Sequence, residues 1–342
     1  MIESKPSQVI HHKPKSFWLL FVIISLLLLS GVYLGLRFGA WNFSHQDLLK
    51  VIRHQAIDHR QSSIFWEMRL PRLLATLLVG AALAVSGAIM QAVTRNPIAD
   101  PGLLGINAGA GLALVVAYAI FHHLHYISII LVCLLGASLA CLLVFGLSYQ
   151  YAKGYQQLRL VLSGAMISMF LSAIGQGITT YFNLATSVIG WQAGGFIGLN
   201  WTMLKIIAPL IIFALALAQL LSYQLSILSL SELRAKALGQ KNFHLTLVFL
   251  SIVLILASAS VAIAGSISFV GLVVPHIIKA QSFGNYKQSL PLIGLLGATF
   301  MVWVDFFCRN LNPPYETPLT ALVSLIGLPA FLWLIKKGGA MK

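Results

Sequence analysis

Of the 342 residues, 58% are hydrophobic and only 9% are charged, and the formal net charge is +14. The mean hydropathy is +0.89. A soluble domain carries roughly 25% charged residues, so this composition excludes one, and with it the nucleic-acid partner that such an excess of positive charge would otherwise imply.

A hydrocarbon core about 30 Å thick takes roughly 20 apolar residues per helical span. The N-terminal stretch 1–16 holds Lys5, Lys13 and Lys15 and leads into FWLLFVIISLLLLSGVYLGL, 17–36. Twenty uncharged residues without an A-x-A ending predict a retained first helix rather than a signal peptide. Residues 37–71 read as a polar, basic loop, and 72–93 as the second span. Residues 101–152 contain no Asp, Glu, Lys or Arg and hold two spans, broken near His122, His123 and His125. The next run, 160–204, holds one span. Its remainder, with Gly190, Gly194, Gly195 and Gly198, predicts a short re-entrant helix lining a cavity. The sixth span is 206–226, and 242–278 holds a seventh to about Gly265 and a shorter eighth from Ser268 to Lys279. The ninth covers 289–308 and the tenth 318–335, ahead of a short tail, 337–342. The expected architecture is all-α, polytopic, with about ten transmembrane helices in one domain, 17–336.

Ten spans put both termini on one side, and charge chooses the side. The face holding both termini carries fourteen Lys and Arg and the other carries eight, so the termini are expected in the cytoplasm. Six of the eight are Arg37, Lys50, Arg53, Arg60, Arg69 and Arg72, an external loop that opposes the positive-inside bias. Gly80, Ala84 and Ala88 form a small-residue stripe, and Gly105 and Gly109 repeat the spacing; both predict close helix packing within the subunit. Cys133 and Cys141 stand about two turns apart on one helix, too far to bridge, and Cys308 is alone, so all three read as apolar packing residues.

The acidic residues are Glu3, Asp47, Asp58, Glu67, Asp100, Glu232, Asp305 and Glu316, all in loops or near helix ends. Ion-coupled transporters keep a titratable group at mid-membrane depth, so this placement argues against ion coupling, an acidic-ring channel and a paired-Asp protease. No His-Glu-x-x-His or Ser-His set lies at membrane depth, which argues against an intramembrane enzyme. There is no Gly-Lys dipeptide, hence no Walker A loop and no ATP site of that kind. A transporter without an ion relay or an ATP site takes its energy from a partner. ILSLSELRAKALGQK (227–241) predicts a short cytoplasmic helix with Gly239 as its C-cap, of the kind that docks into a partner's groove.

The blocks RLPRLLATLLVGAALAVSGAIMQAVTRNPIADPGLLGINAGA (69–110), TSVIGWQAGGFIGLNW (186–201), SELRAKALG (231–239), GSISFVGLVVPHIIK (265–279) and ETPLTALVSLIGLPAFLWLIKKG (316–338) resemble, in order, the permease family of ABC importers for ferric siderophores, haem and cobalamin. The resemblance implies a type II importer permease fold with ten spans. It implies a second permease subunit, identical or paralogous, two ATPase subunits that carry ATP and Mg, and a periplasmic or lipid-anchored substrate-binding protein. It implies no cofactor or metal on this chain. By the same resemblance Ser231, Glu232, Leu233, Arg234, Ala235, Lys236, Leu238 and Gly239 couple to the ATPase. Arg69, Arg72 and Arg309 meet acidic side chains of the binding protein, Arg309 also having i, i+4 spacing to Asp305 for a local ion pair. Asn96, Pro97 and Ile98, with Gln156 and Gln157, form the cytoplasmic gate. His276 falls in the family's PHI block and is assigned no chemistry; His122, His123 and His125 read as an interfacial turn. The expected cargo is an iron chelate, a ferric siderophore ahead of haem or cobalamin. The rival of another class is an ion-coupled secondary transporter.

Overall fold

The computed structural model describes residues 14–55, 58–121, 124–150, 154–155, 157–230, 242–281, 285–313 and 315–339. Lipid offers no hydrogen-bond partner to a bare backbone, so the apolar runs close their bonds internally as helices. These are α1 (Pro14–Arg37), α2 (His45–Ile52), α3 (His59–Ser63), α4 (Leu70–Val93), α5 (Ile106–Ile120), α6 (Tyr126–Ser148), α7 (Gln157–Tyr181), α8 (Ala185–Ala193), α9 (Trp201–Leu220), α10 (Ser222–Leu228), α11 (Asn242–Ala264), α12 (Val270–Lys279), α13 (Tyr286–Asn310) and α14 (Leu319–Gly339). A π-helical turn, Ile64–Arg69, joins α3 to α4, and a 3-10 turn, Pro101–Leu104, precedes α5. Between α6 and α7, Tyr149–Gln150 pairs antiparallel with Gly154–Tyr155.

Among the described residues seven helical stretches are long and apolar enough to cross a membrane, and three shorter apolar helices, Ile106–Ile120, Val270–Lys279 and Leu319–Trp333, raise the apolar set to ten. The break between the third and fourth elements falls between Ile120 and Tyr126, and the glycine-rich remainder of 160–204 contains the short helix α8.

Two expectations need correction. Residues 37–71 are not an open loop: α2, α3 and the π turn fold there around Phe43, Leu48, Val51 and Phe65, with Tyr33, Leu36, Ile64 and Trp66 packed against them. The short amphipathic helices were hidden by their mixed polar faces. The sixth span begins at Trp201, not 206, and breaks at Leu221. Asn200 caps it by accepting the Met203 amide at 3.1 Å. Lys205, which marked the expected boundary, is the fifth residue of the helix and is exposed, where a long basic side chain can reach the membrane edge.

Helix α4 is the centre of the subunit. It packs against α13, α11, α12 and α9. The predicted stripe makes this possible: a Cβ on Gly80 would lie 2.4 Å from the Gly297 carbonyl oxygen, and one on Gly297 would lie 2.4 Å from Ala84 Cβ. At Gly87 the approach is closer still, 1.8 Å from the Gly271 oxygen to the position a Cβ would take. Gly109 meets Gly136 of α6 in the same way, whereas Gly105 leaves the stripe and ends the 3-10 turn in the left-handed region, at φ 73°. Helix α1 leans on α13 through Gly31 and Trp303, whose indole donates to the Leu27 carbonyl at 3.1 Å. Its other side exposes Trp18, Leu19, Leu26 and Leu29, and α7 similarly exposes Leu162, Met166, Met169 and Phe170. Cys133, Cys141 and Cys308 are buried and unbridged.

Overpacking a tight core costs roughly 1–3 kcal/mol, and backbone at Gly271 gives way less easily than a side chain. Gly87→Val is therefore expected to lower the thermal midpoint of the detergent-purified chain, whereas Gly146→Ala, facing open space, leaves it unchanged. Equal midpoints for the two variants would remove this helix crossing as a packing constraint.

Candidate functional site

The charged side chains of the chain's interior gather at the two ends of α4. At the end nearest α1's C-terminus the π turn sets the geometry. A wide turn leaves a backbone carbonyl without its helical partner, and such turns recur at functional sites. Here the Trp66 carbonyl accepts from the Trp201 indole at 2.8 Å. The turn delivers Arg69 toward α1, where it donates to the carbonyls of Leu36 and Trp41 and lies 4.8 Å over the Phe43 ring. Arg69 is 7% exposed.

One turn on, Arg72 faces α13. Its Nε and Nη2 donate to Asp305 Oδ1 at 3.0 and 2.8 Å, and its Nη1 and Nη2 donate to the two Glu316 carboxylate oxygens at 2.7 and 2.8 Å. Arg309 closes the cluster, with Nε 3.1 Å from Asp305 Oδ2 and Nη2 donating to the Gly35 carbonyl at 3.2 Å. The expected i, i+4 pair of Asp305 and Arg309 is present, and Arg72 joins it from another helix. Asp305 is 3% exposed and shared by two arginines, so its buried charge stays fully compensated only while both Arg72 and Arg309 are in place. Glu316 is the outermost carboxylate of the cluster, its side chain 30% exposed. Thr317 ties this segment back by donating its amide to the Cys308 carbonyl at 2.9 Å. The structure thus brings Arg69, Arg72 and Arg309 to one end of the bundle. The sequence reading had missed Glu316 as the partner of Arg72, because the two lie far apart along the chain.

At the other end of α4 the turn 94–100 is built from local bonds. Asn96 Oδ1 accepts the Ile98 amide at 3.1 Å, and the Asn96 carbonyl accepts the Ala99 amide at 3.2 Å. Pro97 and Ile98 are exposed. Arg95 holds a positive φ of 49° and donates through Nε to the Leu228 carbonyl at 3.2 Å, binding the turn to the end of α10. Beside it Gln91 donates to the carbonyls of Gly271 and Leu272, both at 3.3 Å, and accepts from Lys279 Nζ at 3.0 Å. Ser226 of α10 accepts the Tyr286 amide at 2.9 Å. Gln91, Arg95, Ser226 and Lys279 form a bracket that no motif announced, since their contacts join segments far apart in the chain.

Asp100 accepts the Gly102 amide at 2.7 Å and lines a small cavity with Leu83, Asn107, Val261 and Gly271. Burial pushes its carboxyl up from 3.8 to about 6, the Gly102 hydrogen bond pulling the other way. Gln157 begins α7. Gln156, His122, His123 and the whole coupling stretch Ser231–Gly239 lie outside the described residues. His125 caps α6 by accepting the Ile127 amide at 3.4 Å, and His276 lies in the last turn of α12. Among the described residues no group of three or more His, Cys, Asp or Glu is placed to hold a metal.

Residues 26–337 match the FecCD transport family. The chain is 35% identical to the iron(3+)-hydroxamate import system permease protein FhuB of Bacillus subtilis (strain 168), over 97% of this chain and 87% of that protein. It is 37% identical to the Fe(3+)-citrate import system permease protein YfmD of the same organism, over 95% and 96%. Its fold is similar to a solved structure described as a metal-chelate type ABC transporter in an inward-facing conformation. The TM-score is 0.82 at 30% identity, covering 95% of this chain and all of that one.

The Asp100 carboxyl gives a signed expectation. Its folded-state value lies above its unfolded one, so the folded form holds the proton longer. Its contribution to stability is complete below about pH 4 and is lost as pH rises to about 6. Asp100→Asn keeps the oxygen that accepts the Gly102 amide and removes the charge. The variant is expected to match wild type near pH 4 and to exceed its thermal midpoint above pH 6. A midpoint difference that does not change with pH would count against a buried Asp100 proton.

Proposed function

The chain belongs to the FecCD transport family, and from that premise we propose that it is the membrane permease subunit of a binding-protein-dependent ABC importer for an iron chelate. The reading rests chiefly on the full-length match to iron-chelate permeases, and the absence of a Gly-Lys phosphate loop fits a partner that hydrolyses the ATP. A ferric siderophore is the leading cargo. Two permease subunits, identical or paralogous, enclose the pathway, and two ATPase subunits with ATP and Mg drive it from the cytoplasm. Both termini lie in the cytoplasm of a cell bounded by this plasma membrane.

In this reading the two ends of α4 have different partners. The outer cluster receives an acidic substrate-binding protein at Arg69, Arg72 and Arg309. Arg72 already holds Glu316 in a forked pair, so an incoming carboxylate competes with Glu316 rather than meeting an empty cation. At the inner end Asn96, Pro97 and Ile98 narrow the exit, together with Gln156 and Gln157. The segment Ser231–Gly239 passes the ATPase stroke to the gate. The Arg95 bond to Leu228 supports that route, because it ties the gate turn to the helix that ends just before the segment.

Co-reconstitution with the ATPase and the binding protein in liposomes tests the reading. Chelate uptake is expected to require ATP and to be blocked by vanadate. Uptake that instead follows a proton or sodium gradient would return the chain to the secondary transporters. Glu232→Lys and Gly239→Val are expected to abolish uptake without shifting the thermal midpoint. Glu316→Gln is expected to speed binding-protein association at low salt and Arg72→Glu to slow it, both effects shrinking as salt rises. Unchanged on-rates in both variants would move docking away from the cluster.

A further inference from the structure

Helix α2 rides on the last turn of α1. Leu48 and Val51 turn inward to Phe43 and Phe65, against Tyr33 and Leu36 of α1, and Tyr33 Oη lies 3.3 Å from His45 Nδ1. Helix α1 carries large exposed apolar side chains from Trp18 to Leu29, as a lipid-facing helix does. Its final turn therefore marks the depth at which hydrocarbon gives way to headgroups, and α2 is fixed there.

At about 100° per residue, Leu49 and Ile52 sit side by side next to the buried arc of α2, and Arg53 and Lys50 follow on the next arc. Leu49 is 40% and Ile52 46% exposed, and Trp41, at the same end, is 43% exposed. This is half of an amphipathic helix's apolar surface left uncovered beside a basic edge.

The other basic residues of 37–72 are occupied. Arg69 and Arg72 are held in the interior cluster. Arg37 lies 5.0 Å over the Phe38 ring and donates to Tyr33 Oη at 3.1 Å, and Arg60 lies 5.5 Å over the Trp41 ring. Lys50 and Arg53 are exposed, and among the described residues neither is ion-paired. Of the neighbouring acids, Asp58 caps α3 by accepting the Arg60 amide at 3.3 Å, Asp47 stands one helical turn before Lys50 but forms no ion pair with it among the described residues, and Glu67 is on the π turn.

We propose that α2 is an interfacial anchor that binds an anionic phospholipid of the adjoining leaflet. Leu49 and Ile52 enter the acyl region, Lys50 and Arg53 hold the headgroup phosphate, and Trp41 sits at the boundary. A soluble acidic partner would satisfy the two cations but leave Leu49 and Ile52 against water, so lipid accounts for both halves of the surface. The site does not depend on which leaflet adjoins it, nor on the cargo.

The test uses the full chain in an uncharged detergent, supplied with equal amounts of phosphatidylglycerol and phosphatidylcholine, with bound lipid counted by native mass spectrometry. Wild type is expected to prefer phosphatidylglycerol by roughly tenfold or more, as two cations at a membrane surface give. Lys50→Gln with Arg53→Gln should bring the ratio close to one. Leu49→Ser with Ile52→Ser should reduce retention of both lipids and keep the ratio. All four substituted positions face outward, and thermal midpoints verify that each variant is folded. The proposal is overturned if the charge-neutral variant keeps the wild-type preference, or if inorganic phosphate displaces the bound lipid. It is also overturned if that variant slows binding-protein association while lipid retention is unchanged, which would make the face a protein-docking surface.

Discussion

Helix α4 has to run through the middle of the subunit with other helices against it on most sides, and everything else depends on how it manages this. Lipid gives no hydrophobic force between helices, so they associate through close van der Waals contact. The Gly80–Gly297 and Gly87–Gly271 crossings bring backbones close enough that no side chain fits between them. The 24 residues of α4 span about 36 Å at 1.5 Å per residue, and they carry the arginine cluster at one end and the Arg95–Ile98 turn at the other. Two candidate sites on opposite faces of the membrane are therefore joined by one rigid element, which is the minimum hardware for a signal to pass between them. Coupling itself requires that this element have two arrangements.

The outer cluster carries a second lesson about charge. Arg72 is engaged by two carboxylates and Asp305 by two arginines. Such sharing fixes the ends of α4 and α13 and the segment before α14 relative to one another. It also means that Arg72 and Arg309 present no bare cation, whereas Arg69 is held by the Leu36 and Trp41 carbonyls and the Phe43 ring. At Arg72 a docking partner can gain only by exchange, and exchange with a half-exposed carboxylate such as Glu316 changes specificity and rate more than it changes total affinity.

How much of this was legible follows from distance along the chain. Charge-free runs reported the membrane elements well, because a span is a local property: α1, α4, α6, α7, α11 and α13 all fall where the runs placed them. A boundary failed where a lysine marked it, at Lys205, since a long basic side chain that reaches the membrane edge lets a helix continue through its own charge. The Asp305–Arg309 pair was readable from its i, i+4 spacing. The Arg72–Glu316 pair was not, nor was the Gln91–Lys279 bond, because nothing local joins residues that meet only when helices pack. The 37–71 region was misread for a different reason. Its apolar residues, Phe43, Leu48, Val51 and Phe65, are too few to signal a core alone and become one only against Tyr33 and Leu36 of α1.

The positive-inside bias shows how folding explains an exception to a statistical rule. Topology is decided on the unfolded chain, where every basic residue counts, so eight on the outer face oppose the expected orientation. Arg69, Arg72 and Arg309 anchor helix ends, and Arg37 and Arg60 lie over aromatic rings. That leaves Lys50, Arg53 and Lys205 on the outer side without an ion pair among the described residues. Lys205 is an exposed residue near the start of α9, and the other two lie beside the exposed apolar arc of α2. The outer excess is thus a set of fixed structural contacts plus one basic edge at the lipid boundary.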